Sequence, residues 1–200
     1  GSDMDAFMLC FIPLFVAVDP VGILPNYIAL TNGLQNEQRR HVVAIAMCTA
    51  LGLGLGFMLV GRVILRILGI EICDFLVAGG VVLFAIAVTD IVVPGNRRRP
   101  PDDSVGAAPI GTPLVVGPGV MATSLLLIER HGFFISAGAL TANLAITAML
   151  FLSSNLIIRL IGDTGTKVFS KVSSLIMAAF AIHMTRLGII DIVARASHSN

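Results

Sequence analysis

Four stretches of the chain, 42–61, 75–89, 104–128 and 132–158, contain no Asp, Glu, Lys or Arg. An unpaired charge in hydrocarbon costs several kcal/mol, so long charge-free runs mark a chain whose solvent is a bilayer. All but 75–89 reach the roughly 20 residues that cross about 30 Å of hydrocarbon. The 75–89 run reaches that length by continuing through Asp90 to Pro94. Two further runs are interrupted. Residues 6–31 are apolar apart from Asp19, which Pro20 follows directly, and 172–193 are apolar apart from His183, Arg186 and Asp191. Six membrane spans are expected. Composition agrees: charged residues make up 12% of the chain, about half the share in globular domains.

Several function classes are set aside. Acidic and basic residues balance to +1, and the basic cluster Arg97-Arg98-Arg99 is followed by Asp102 and Asp103. No basic stripe for nucleic acid exists. Cys10, Cys48 and Cys73 are too scattered for a disulfide framework or a redox pair. Trp is absent and Tyr27 is the single tyrosine, so the aromatic belt is thin. No His-Glu-x-x-His, phosphate-cradling loop or Gly-x-Ser-x-Gly elbow occurs. The expectation is no enzyme, no catalytic residue, no metal and no cofactor. The N-terminal run has no basic flank and no small-x-small cleavage site, so it reads as a span and not a signal peptide. Gly1 to Asp3 read as a cloning remnant.

Orientation follows from Lys and Arg in alternate loops. Loops 1–2, 3–4 and 5–6 hold eight: Arg39, Arg40, Arg97, Arg98, Arg99, Arg159, Lys167 and Lys171. The other side holds five at most: Arg62, Arg66, Arg130, Arg186 and Arg195. Both termini are therefore expected outside the cytoplasm. Residues 94–106, with three prolines, three arginines and two aspartates, read as a cytoplasmic linker between three-helix halves at 6–93 and 107–193.

The halves look related. Phe84-Ala85-Ile86-Ala87-Val88-Thr89-Asp90 matches Phe180-Ala181-Ile182-His183-Met184-Thr185-Arg186. Likewise Pro13-Leu14 before Asp19-Pro20-Val21-Gly22 matches Pro113-Leu114 before Gly117-Pro118-Gly119. Three spans per half invert the second half, and inverted repeats with interrupted helices at matching positions are the usual build of secondary transporters. At 1.5 Å per residue, Asp19 lies about 20 Å into span 1 and Pro118 about 18 Å into span 4. Both breaks fall near mid-membrane. Proline removes a backbone donor and displaces a carbonyl. The freed groups then need protein or a wet cavity. Half-helix N-termini suit a carboxylate and C-terminal carbonyls suit a cation or ammonium. Together they suit a zwitterion, although Pro kinks of purely structural use are common in membrane helices.

From Phe7 to Ile192 the chain resembles the MarC family of bacterial inner-membrane proteins, grouped with LysE-type transporters. The likeness rests on Phe15-Val16-Ala17-Val18-Asp19-Pro20-Val21-Gly22-Ile23-Leu24-Pro25, on Ala78-Gly79-Gly80 with Asp90, and on Thr112-Pro113-Leu114-Val115-Val116-Gly117-Pro118-Gly119. The resemblance implies six spans in a multi-pass inner-membrane protein and, for some members, transport of small neutral amino acids such as alanine and glycine. The family usually has Asn before the span-1 proline; Asp19 adds an ionisable group there. The family's substrate and coupling ion therefore do not carry over unexamined.

The expected fold is an all-α membrane protein of six transmembrane helices in two inverted three-helix repeats, with helices 1 and 4 interrupted. The expected function is alternating-access transport of a small polar solute, with H+ or Na+ as coupling ion and the lipid bilayer as surroundings. A homo-oligomer is compatible with it. A LysE-like cation or metabolite exporter with Asp19 as ion ligand, and a structural or signalling membrane protein, are the alternatives. Candidate solute-binding residues are Asp19, Pro20, Gly22, Pro25, Asn26, Pro113, Gly117, Pro118, Gly119, Thr123 and Asn143. Gly22, Gly117 and Gly119 would let backbone approach the solute. Asp19 reads equally as a functional acid or as the cap of a helix beginning at Pro20. Arg186 is expected to pair with Glu71 or Asp74, and His183 to bond between helices. Thr141 and Asn143 either bridge helices or line a site, and Gly52, Gly54 and Gly56, with Gly52-x-x-x-Gly56, are expected to form a close-packing face.

Overall fold

The computed structural model describes residues 2–31, 34–92 and 115–198. Among the described residues seven helices follow one another: α1 Ser2–Val18, α2 Leu24–Leu30, α3 Asn36–Ile67, α4 Ile72–Val92, α5 Pro118–His131, α6 Phe133–Leu152 and α7 Ser154–His198. No strand occurs among the described residues. Gly162, at φ 72° and ψ 169°, breaks α7 near its start. Asn36–Ile67, Ile72–Val92, Phe133–Leu152 and Thr164–Ser197 are long and apolar enough to cross a membrane. These four are the expected spans 2, 3, 5 and 6. The expected spans 1 and 4 fall on the shorter helices α1 and α5. At 1.5 Å per residue the 17 residues of α1 reach about 26 Å and the 14 of α5 about 21 Å.

The helices overrun the charge-free intervals or stop short of them. α3 starts six residues before Val42, because Gln35 and Gln38 close a capping box with the Gln35 N–H on Gln38 Oε1 at 3.0 Å. It ends in a Schellman turn: Gly69, at φ 69°, donates to the Arg66 carbonyl, and Ile70 donates to that of Leu65. The carboxylate of Asp74 then accepts from the Glu71 N–H at 3.1 Å, which starts α4 at once. The expected span 132–158 is shorter than anticipated. α6 stops at Leu152, and the Ser153 carbonyl accepts from Leu156 and Ile157 to begin a new helix. Gly132, at φ 83°, is the entire joint between α5 and α6.

The larger apolar core joins α1, α3, α5 and α6 through Leu14, Val18, Ala50, Met58, Val120, Leu140 and Leu144. A second core joins α4 and α7 through Leu76, Leu83, Ala87, Met177, Ala181 and Met184, with Ala122 of α5. α4 and α7 run antiparallel at backbone range. A Cβ on Gly80 would lie 2.8 Å from the Ala181 carbonyl, and one on Gly188 would lie 2.7 Å from the Cys73 carbonyl. Small residues are what permit such approach in lipid. This accounts for Gly79-Gly80. The Gly52-x-x-x-Gly56 expectation is corrected: both glycines are exposed, with open space where a side chain would be. Gly54, also expected to pack, does so on the opposite face, where a Cβ would come 2.6 Å from Leu140 Cδ2. Outward faces remain apolar, as at Leu59, Val63, Phe84, Leu175 and Ile182.

The connections gather at two ends. At one, Arg62 pairs with Glu129 at 2.9 Å and Arg195 with Glu71 at 3.2 Å, around a cavity of about 350 Å³ that Arg66 also lines. At the other, Arg39 donates to Asn155 Oδ1 at 2.7 Å and Lys171 to the Ile91 carbonyl at 3.3 Å. Glu71 is thus taken by Arg195. Arg186 instead meets His183 Nδ1 at 3.1 Å on its own helix, one turn away, where both side chains are exposed. The expected Arg186 partners and the interhelical His183 bond are both corrected by this i,i+3 proximity. The expected linker 94–106 lies outside the described residues.

Candidate functional site

α1 ends because Asp19 turns left-handed. Its N–H still closes the helix on the Phe15 carbonyl at 3.0 Å, but its φ is 49°, the one positive value among described non-glycine residues. Asp and Asn visit this region more readily than other L-residues. The chain restarts immediately. The Asp19 carbonyl accepts from Ile23 at 3.1 Å, Asp19 Oδ1 accepts from the Gly22 N–H at 3.0 Å, and Pro25 lies in the first turn of α2. The carboxylate thus caps the Asp19–Gly22 turn, but the expected helix from Pro20 is corrected: α2 begins at Leu24, behind Ile23 and without a side-chain cap. Pro20, which has no N–H to satisfy, and Asp19 are both buried. A Cβ on Gly22 would overlap the Asp19 carboxylate, 2.6 Å from Cγ, so glycine is needed for the cap itself.

The second break lies before α5. Gly117 is extended at φ −90°, ψ −177°, no side chain caps the helix, and Pro118 takes its first position. The Gly117 carbonyl accepts from Met121 at 3.1 Å. The Gly119 α-carbon is packed against α4, where a Cβ would lie 2.9 Å from Leu83 Cδ1. Thr123 Oγ1 donates to the Gly119 carbonyl at 2.7 Å and lies 3.4 Å from Met184 Sδ. Ala17 and Val18 from the first break share a core with Val115, Val116 and Val120 from the second.

Asn143 of α6 is fully buried and reaches the same layer. Its Nδ2 donates to the Phe11 carbonyl of α1 at 3.2 Å and to that of Ala139 at 2.9 Å, while its Oδ1 has no partner among the described residues. Thr141 is exposed and donates to the Ala137 carbonyl, so it bridges nothing. Pro113 and the side chain of Asn26 lie outside the described residues.

Two residues absent from the expected set complete the first break. Ser173 of α7 donates to Asp19 Oδ1, and Ser170, one turn earlier, donates to the Gly22 carbonyl at 3.3 Å. They share a face with Thr166 and Ser174. That spacing, hydroxyls at i, i+4, i+7 and i+8 leading into an apolar span, was the available signal. The structure thus brings Asp19, Pro20 and Gly22 together with Ser170 and Ser173. It holds Gly117, Pro118, Gly119 and Thr123 in a second group against α4, and Asn143 behind α1.

Comparison with known proteins follows this geometry. A UPF0056 membrane protein of Buchnera aphidicola is 32% identical over 181 residues, covering 88% of this chain and 92% of its own. The UPF0056 inner membrane protein YhgN of Escherichia coli is 28% identical over 193 residues, covering 93% and 97%. A UPF0056 membrane protein of Methanocaldococcus jannaschii is 26% identical over 202 residues, covering 94% and 89%. No solved structure matches the chain. The family described as MarC family integral membrane protein matches residues 4–193. The chain, with its multiple apolar helices, belongs to the MarC family of integral membrane proteins.

Proposed function

We propose that the chain is a secondary transporter of a small polar solute, best matched by a small neutral amino acid such as alanine or glycine. One observation carries this reading: two buried, non-helical joints, each followed by a proline-started helix, meet within one core. Broken helices of this kind provide unpaired backbone groups where a solute crosses mid-membrane. At the second joint the N-terminus of α5, lacking a side-chain cap, suits a carboxylate. At the first, the C-terminal carbonyls of α1 suit an ammonium group.

The helix pairing supports a six-span inverted repeat. Exchanging spans 1 with 4, 2 with 5 and 3 with 6 turns the α1–α6 contact into α5–α3, and α4–α5 into α7–α1; both members of each pair occur. The pairs α3–α6 and α4–α7 map onto themselves and also occur. The end carrying Arg39, Arg40, Arg159, Lys167 and Lys171 is assigned to the cytoplasm. Both termini are then periplasmic in a bacterial inner membrane. A LysE-like cation or metabolite exporter with Asp19 as ion ligand is the second reading.

The test is thermal unfolding in detergent against a panel of solutes. Alanine or glycine should raise the melting temperature in a saturable way, while bulky or dicarboxylic amino acids should not. Identical melting with every solute would overturn solute binding and favour a scaffold.

A further inference from the structure

We infer that Asp19, Gly22, Ser170 and Ser173 form a binding site for a monovalent hard cation, Na+, held between the first break and α7. The behaviour of the hydroxyls points to it. Across the described helices, Thr31, Thr49, Thr89, Thr123, Ser136, Thr141, Thr147, Thr166, Ser174 and Thr185 each donate to the carbonyl four residues back. That is the default for a hydroxyl in an apolar helix. Ser170 and Ser173 depart from it. Both reach across to another element, and both reach the same break.

Four oxygen centres therefore converge from two elements: a carboxylate, a backbone carbonyl and two hydroxyls. All are hard donors, unsuited to copper, zinc or iron–sulfur chemistry. One carboxylate matches one positive charge, whereas calcium sites gather several carboxylates among six to eight oxygens. With no cation the hydroxyls donate to the carboxylate and carbonyl. With Na+ bound, their lone pairs turn inward and their protons can go to the carbonyls of Thr166 and Phe169, four residues back. The Ser173 hydroxyl and Asp19 Oδ1, in direct hydrogen-bond contact without the ion, must also move apart to admit it. The Gly22 N–H keeps its bond to Asp19 and holds the carboxylate in place.

Binding is independent of any solute; only a role for Na+ in coupling rests on the transporter reading. The experiment replaces KCl by NaCl at constant ionic strength and follows unfolding by far-ultraviolet circular dichroism, since the chain has no Trp. The melting temperature should rise with NaCl and level off. Ser173→Ala and Asp19→Asn should abolish the rise, Ser170→Ala should shift it to about tenfold higher NaCl, and Ser173→Thr should retain it. Equal melting in both salts overturns the site, as does an undiminished rise in Ser173→Ala and Asp19→Asn. If Asp19→Asn fails to fold, the Ser173→Ala and Ser173→Thr pair decides alone. A flat Na+ response leaves solute-induced stabilisation intact, and solute failure leaves the Na+ response intact, so the two readings fail separately.

Discussion

Asp19 carries two separable structural loads, and a three-variant series resolves them. The first is conformational: at φ 49° an alanine would incur the left-handed penalty of about 1–2 kcal/mol, glycine none, and asparagine little. The second is the cap on the Gly22 N–H at 3.0 Å, worth about 0.5–2 kcal/mol against alanine. Asparagine keeps both. Glycine keeps the first and loses the second. Alanine loses both. The Ser173 hydroxyl adds little to the difference, because it can fall back on the carbonyl of Phe169. Asp19→Ala should therefore destabilise by about 2–3 kcal/mol, Asp19→Gly by about 1 kcal/mol or less, and Asp19→Asn by under about 1 kcal/mol. For a chain of this length each kcal/mol moves the melting temperature by about 2–4 °C, so alanine should lower it by about 4–12 °C. Thermal unfolding in detergent, in KCl, reads the series. If Ala matches the parent, or Gly is as damaging as Ala, the left-handed capped joint is the wrong description of the first break.

Other expectations follow from the same contacts. Gly22→Ala places a Cβ on the Asp19 carboxylate and should destabilise by about 1–3 kcal/mol by overpacking and loss of the cap; unchanged melting would remove the close approach. Gly188→Val should cost at least as much, because its Cβ meets the Cys73 carbonyl as well as the Val77 side chain, whereas Gly56→Leu, in open space, should leave unfolding unchanged. Gly132→Ala at φ 83° should lower stability by about 1–2 kcal/mol. Arg62→Ala should change stability by no more than about 1 kcal/mol, since its pair with Glu129 is half exposed and screened by salt. A C-terminal reporter that is active only outside the cytoplasm should be active; activity only in a cytoplasmic reporter would reverse the orientation.

The apolar spans were legible because excluding charge from hydrocarbon leaves a mark on every residue of a run. Their ends were less so. Helices such as α3 continue past the apolar interval through Glu37 and Arg39 under local capping, and α6 ends early where Ser153 offers a carbonyl to the next helix. Both breaks were readable from Pro20 with Gly22 and from Gly117 with Pro118, since these residues disturb a helix in any context. Direction was not. A glycine pattern does not say which face is covered, so of Gly52, Gly54 and Gly56, all read as packing residues, only Gly54 meets a neighbouring helix. A hydroxyl's choice between its own helix and a neighbour depends on where the neighbour's broken backbone lies, so Ser170 and Ser173 became visible only in three dimensions.

The central claim is that the paired breaks move a small polar solute across the membrane. Its most direct measurement is uptake of labelled alanine and glycine into proteoliposomes of the purified chain, under imposed Na+ and proton gradients in turn. The account predicts saturable uptake that a gradient drives above equilibrium, and loss of that uptake in Gly22→Ala protein that still inserts. Uptake no faster than in protein-free vesicles, under either gradient and for both solutes, would contradict it.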